Sequence, residues 1–147
     1  NNLDNTSLML SENIKRGIKS GVFNVPPCNN YIISNCFNLI ISLDYIYNLN
    51  YKELVLEEFS RILIRGGILI INDIILKDGE TFEETIYNFK HLSFYTKISN
   101  LNLVNILDIT NDLKGHLKIF KDHNQNKVLL DNINKITYNI LIFKRND

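Results

Sequence analysis

Two apolar runs in this chain of 147 residues end on groups that could do chemistry: Asp73 after residues 68–72, and Asp108 with Thr110 after residues 103–107. A carboxylate at such a position can act as a general base, or orient a substrate amine or hydroxyl. For Asp108 and Thr110 the plainer role is capping the helix that follows. A third run, residues 37–43, ends on Asp44, and Tyr45, Tyr47 and Asn48 come directly after it. Without further context these are a strand end and two tyrosines covering it. His116 falls in a helical stretch as a half-buried residue, whereas His91 and His123 have no supporting pattern and read as surface. Cys28 and Cys36 are eight apart with no histidine near. That spacing is no zinc motif, and two cysteines are too few for a disulfide framework. They read as reduced thiols of a cytoplasmic protein. The chain has no Ser-His-Asp order, no Walker motif and no metal-ligand cluster, so no metal is expected.

These residues need elements to hold them, and the hydrophobic pattern supplies an order. Ser11 is a good N-cap for a helix with Ile14 and Ile18 on one face, stopped by Gly21. Residues 22–25 read as a short strand and 26–36 as a loop. Residues 37–43 (FNLIISL) and 68–71 (ILII) are near-continuous apolar runs, the mark of strands buried on both faces. Between them residues 51–63 are amphipathic, with Leu54, Phe59 and Leu63 near one face, and Lys52, Glu53, Glu57 and Glu58 on the other. Arg65-Gly66-Gly67 is the turn that ends this helix. The pattern then predicts a helix over 81–95, a strand over 103–109, a helix over 111–120, a polar turn over 122–127 and a closing strand over 136–144. Such alternation implies an α/β doubly wound, mostly parallel sheet. Ligands of such sheets bind beyond the carboxyl ends of the strands. Here those ends are Leu43-Asp44, Asn72-Asp73 and Asp108 to Thr110.

Composition narrows the function classes. The length suits one domain with its own core. Sixteen basic residues balance sixteen acidic ones, so no global field attracts nucleic acid or anionic lipid. Lys114, Lys118 and Lys121 follow a helical spacing, but intervening aspartates make a solvated face the plainer reading. No apolar stretch approaches the length of a transmembrane helix, and residues 1–11 do not read as a signal peptide. Asn and Ile make up roughly fifteen per cent each and Ala is absent, a bias that reads as genomic. It lowers the value of any single Asn as a clue.

Residues 37–73, FNLIISLDYIYNLNYKELVLEEFSRILIRGGILIIND, resemble the central stretch of class I S-adenosylmethionine-dependent methyltransferases. The resemblance rests on Phe37-Asn38, Ser42-Leu43-Asp44, Arg61-Ile62-Leu63 and Gly66-Gly67. It extends upstream to Leu10-Ser11-Glu12-Asn13-Ile14-Lys15, and downstream to Phe94-Tyr95, residues 103–110, Leu113 to Leu117 and the closing strand. The downstream part is similar to the family's small-molecule branch.

The resemblance implies a Rossmann-like methyltransferase fold, S-adenosylmethionine as cofactor and a small-molecule methyl acceptor. It puts Met9, Leu10, Pro27, Cys28, Leu43 and Asp44 on the cofactor side. It puts Tyr45, Tyr47, Asn48, Asp73 and His116 on the acceptor side, where tyrosine faces can attract a positive sulfonium. The family's Gly-rich turn is not in this sequence, and Met9 stands where an acid usually takes the ribose hydroxyls. The 147 residues are therefore expected to be a partial, N-terminally truncated class I methyltransferase domain, with a sheet edge open to pairing. Two other functions remain open: a non-catalytic remnant or incomplete fragment of such an enzyme, and a tRNA-directed methyltransferase of the same fold.

Overall fold

The computed structural model describes residues 33–82, 87–119 and 124–147. The helix and strand expected before residue 26, and the sites expected at Met9, Leu10, Pro27 and Cys28, lie outside the described residues. Strands β1 (Phe37–Leu43), β2 (Leu63–Leu76), β3 (Lys90–His91), β4 (Leu101–Asp108) and β5 (Ile136–Arg145) form one sheet. Its order is β1-β2-β5-β4, with β3 beside the end of β2. β1 and β3 run parallel to β2, while β5 is antiparallel to both β2 and β4. Four described strands thus share one direction and the closing strand opposes them. The helices are α1 (Lys52–Ile62), α2 (Leu92–Tyr95), α3 (Thr110–Ile119) and α4 (Asn124–Asp131), and a 3-10 turn spans Ile46–Asn48.

β2 is the spine, and the two-residue period of a strand lets it serve two cores. Leu69, Ile71 and Ile75 join Val55 and Leu56 of α1, Tyr95 of α2, and Leu141 and Phe143 of β5 in one buried cluster. Ile74 and Leu76 join Phe89, Leu113 and Leu117 of α3, Leu129 of α4 and Ile136 in a second. Two clusters drawing on opposite sides of one strand match the doubly wound expectation.

Several local expectations are corrected. In α1 the buried residues are Lys52, Val55, Leu56, Ser60 and Ile62, and Leu54 is exposed. The inward stripe therefore starts at Lys52 and follows the i, i+3, i+4, i+8 spacing, so Lys52 points in and Leu54 out. The helix stops at Ile62, before Arg65-Gly66-Gly67. Pairing with β1 jumps from Phe37↔Leu63 to Leu39↔Ile68, so residues 64–67 bulge out of register. Gly66 sits at φ 71 in this bulge, and a Cβ on Gly67 would lie 2.8 Å from the Ile64 carbonyl. The glycines are needed, but to bulge a strand.

Residues 87–91 are not helical: Lys90–His91 pairs with Ile75 and Leu76. Tyr87 and Phe89 alternate with period two and pack with Phe82 and Tyr47. Residues 124–127, expected as a turn, open α4, which buries Leu129. β1 is not buried on both faces: Leu39, Ile41 and Leu43 are exposed. Among the described residues no helix is long and apolar enough to cross a membrane.

Candidate functional site

The site forms where β1, β2 and β5 reach the same end of the sheet. The chain leaves β1 at Asp44, whose φ of 50 turns it sharply out of the strand. Asp accepts this left-handed conformation better than most residues. The Asp44 N–H donates to the Asn72 carbonyl at 3.1 Å, which ties the exit to β2. On the side-chain level, Asn72 Nδ2 donates to the Tyr138 hydroxyl at 2.7 Å, and that hydroxyl donates to Asp44 Oδ1 at 2.5 Å. The relay spans all three strands and fixes the Asp44 carboxylate. Burial, then the hydrogen bond and charge of Asp44, push the Tyr138 hydroxyl above the usual tyrosine range, so it stays a donor. Asn72 Oδ1 is buried and makes no hydrogen bond among the described residues.

Thr110 joins the relay from the other side. Its Oγ1 accepts the Tyr138 N–H at 3.0 Å and donates to Asp108 Oδ1 at 2.5 Å. Asp108 Oδ1 also accepts the Thr110 N–H at 2.8 Å. These bonds from Thr110 hold the Asp108 carboxyl below the usual carboxylate range. Asp108 and Thr110 thus serve the start of α3, the capping role.

A cavity of about 440 Å³ opens against this relay. Asp44 and Tyr47 line it from the β1 exit, Ile74 from β2 and Tyr138 from β5. α3 contributes Asp112, Leu113, His116 and Leu117, which share one helix face, and α4 contributes Leu129. Asp44 and Tyr47, expected from one part of the sequence, and His116, expected from another, therefore meet in one wall. Tyr47 is fixed from behind by Tyr87 and Phe89, at ring separations of 6.3 and 5.9 Å. Among the described residues no Lys or Arg lines the cavity.

Other expected residues lie elsewhere. Leu43 and Tyr45 are exposed and do not line the cavity. Asn48 closes the 3-10 turn. Asp73 is wholly buried on the opposite face of β2, so it is not in the cavity wall where a substrate role requires it. Its Oδ2 accepts the Tyr95 hydroxyl at 2.5 Å, its Oδ1 accepts the Ile74 N–H at 3.0 Å, and the Tyr47 N–H also donates to it. Burial pushes its carboxyl up to about 6, against the Tyr95 hydrogen bond and the nearby Lys52 charge. Burial lowers Lys52 to about 8, with Asp73 opposing and Lys90 adding to the shift. The Tyr95 hydroxyl is driven well above its usual range by burial, then by the charge and hydrogen bond of Asp73. Tyr138, Asp112, Lys52 and Tyr95 were not legible as site residues. Their one signal is placement, a polar or aromatic residue on the inward period of an apolar element.

No known family profile and no curated protein matches this sequence. Many solved structures match the fold. A Galdieria sulphuraria protein named as a sarcosine dimethylglycine methyltransferase is 16% identical, with 93% of this chain and 64% of that chain covered at a TM-score of 0.74. Geranyl diphosphate C-methyltransferase from Streptomyces coelicolor, solved with Mg²⁺, geranyl diphosphate and S-adenosylhomocysteine, is 14% identical, with 92% and 55% covered at 0.73. The cyclase SpnF is 12% identical, with 92% and 61% covered at 0.68. This chain spans less than two thirds of the length of each. It has the class I methyltransferase fold.

Proposed function

We propose that this chain carries the acceptor-binding side of a class I domain that transfers a methyl group from S-adenosylmethionine to a small molecule. The observation that carries this reading is the cavity at the carboxyl ends of the strands. It brings Asp44, Tyr47 and His116 into one wall, and its volume of about 440 Å³ suits a small acceptor better than a nucleic-acid strand. The fold alone does not decide the reaction, since the cyclase SpnF shares it.

The described residues fit part of a cofactor site. Leu43 is exposed at the end of β1, and the positive φ of Asp44 turns the backbone outward there, so the strand end is open to a ligand. The cofactor-side roles of Met9, Leu10, Pro27 and Cys28, which lie outside the described residues, rest on the sequence resemblance alone. The bound cofactor supplies an electrophilic methyl group. The chain's own residues orient the acceptor and exclude water. Asp44, which the resemblance puts on the cofactor side, also lines the cavity with a carboxylate held by Tyr138, so it can accept a hydrogen bond from the acceptor's amine or hydroxyl as well. His116 stands in the same wall to take up the proton that the acceptor loses. Ile74, Leu113, Leu117 and Leu129 form the dry side. The free thiol of Cys36 agrees with a cytoplasmic setting.

Calorimetric titration of the gene product containing this chain with S-adenosylmethionine tests the reading. Saturable binding followed by methyl transfer to a panel of small amines and hydroxyl compounds is the expected result. Binding without transfer to any acceptor favours the non-catalytic remnant, and absence of binding sinks both the cofactor and the enzyme.

A further inference from the structure

The cavity does not use two of the most deeply buried polar residues among those described. Asp73 is 0% exposed and Lys52 is 2% exposed. Burying a charged pair seldom stabilises a fold, because apolar residues of similar volume hold a core as well or better. Lys52 is also the first residue of α1, where the helix dipole disfavours a positive charge. These two residues therefore need a reason beyond packing.

Both reach the same 3-10 turn. Lys52 Nζ donates to the Ile46 carbonyl, and Asp73 accepts the Tyr47 N–H. The turn straddles the sheet end, with Ile46 in the core beneath α1 and Tyr47 packed against the core beneath α3. Asn88 holds its far side: the Asn88 N–H donates to the Tyr47 carbonyl at 3.3 Å, and Nδ2 to the Leu49 carbonyl at 3.0 Å. So short a piece of 3-10 helix holds itself weakly, since i→i+3 bonds such as Leu49 N–H to the Ile46 carbonyl at 3.0 Å have poor geometry and are few. It needs support from outside, and Lys52 and Asp73 supply it from α1 and β2.

We infer that Lys52 and Asp73 are positioning residues of the cavity: together they clamp the Ile46–Asn48 turn and so hold Tyr47 in the cavity wall. Tyr95 supports the clamp by fixing the Asp73 carboxylate. The cavity-wall role of Tyr47 rests on the function proposed above, but the clamp itself does not.

The test compares wild type with Lys52→Met, which keeps the stem and removes the donor, and with Asp73→Asn, which keeps the shape and an acceptor. Backbone amide exchange is followed at Tyr47 and Leu49 in the turn, and at Ile71 and Leu141 in the core. The clamp predicts that Lys52→Met speeds exchange at Tyr47 and Leu49 by about tenfold or more while Ile71 and Leu141 stay protected. Asp73→Asn should do the same more weakly at Tyr47. Unchanged turn amides in both variants overturn the inference. So does acceleration of turn and core together in both, because that is the signature of a role in overall stability alone. A parallel titration with S-adenosylhomocysteine separates the two claims. If wild type does not bind it, the proposed function fails, while the exchange pattern still decides the clamp.

Discussion

Two aspartates, Asp44 just past the end of β1 and Asp73 within β2, each accept a tyrosine hydroxyl at 2.5 Å, and the two pairs have opposite fates. Asp44 and Tyr138 meet at the open end of the sheet and line the cavity. Asp73 and Tyr95 meet under α1 and α2 with no exposure at all. The chemistry of the pairs is the same and the surroundings differ. At the open end, water and ligand can share the carboxylate, so the pair is available for recognition. In the core the carboxylate is shifted up to about 6 and its bonds go to the backbone and to Tyr95. The contrast separates residues that meet a ligand from residues that place them, although Asn72, which serves the open pair, and Asp73 are consecutive on β2 and take opposite faces.

The contrast would break most visibly at Asp73. Asp73→Ala leaves the Tyr95 hydroxyl, the Tyr47 N–H and the Lys52 charge without their partner, and should cost about 3–5 kcal/mol in denaturant unfolding. A loss below about 1 kcal/mol would make the buried pair as dispensable as a surface one. The tyrosines sharpen the comparison. Tyr95→Phe should cost about 1–3 kcal/mol, because a buried carboxylate loses a donor. Tyr138→Phe should cost about 1 kcal/mol or less, since water can replace the hydroxyl at Asp44, yet it should weaken ligand binding in titration calorimetry. Equal stability losses would erase the distinction.

A smaller effect is the pH dependence of stability. The folded carboxyl of Asp73 is raised from 3.8 to about 6, so the folded state holds a proton that the unfolded state has released. Stability from this group is present below 3.8 and is lost as pH rises to about 6. Lys52 is lowered from 10.5 to about 8, so its contribution is restored as pH rises from 8 to 10.5. Unfolding followed across this range should show both slopes in wild type, and Asp73→Asn should flatten the acid one. At the bottom of the scale, Asp108→Ala removes a cap from α3 and should cost about 1 kcal/mol with ligand affinity unchanged. A large loss of affinity there would move Asp108 from the cap into the site.

The pattern of contrast also explains what the sequence could disclose. β1, α1, β4, α3 and β5 lie within a few residues of where apolar period and turn signals place them, because burial of one face is written into alternation. Asp44, Tyr47 and His116 were legible as candidates, since strand ends and a matched helix position mark them. The inward turn of Lys52 and Asp73 was not, because a charged residue reads as solvent-facing unless its partner is known, and that partner comes from another element. The aromatic segment around Tyr87 and Phe89 was misread as helix for a related reason. Its order comes from Tyr47 and Phe82, and Lys90–His91 is held by β2, so local spacing did not reveal it.

The central claim is that the open end of the sheet, and not the buried pair, meets the ligand. Titrating S-adenosylhomocysteine into the isotopically labelled gene product, with backbone amide resonances followed by NMR, tests it most directly. The account predicts saturable shifts at Leu43, Asp44 and Tyr45, extending to Tyr47, with α2 and the Asp108 cap unmoved. Saturation with no shift at the β1 exit, or no shift anywhere, would contradict it.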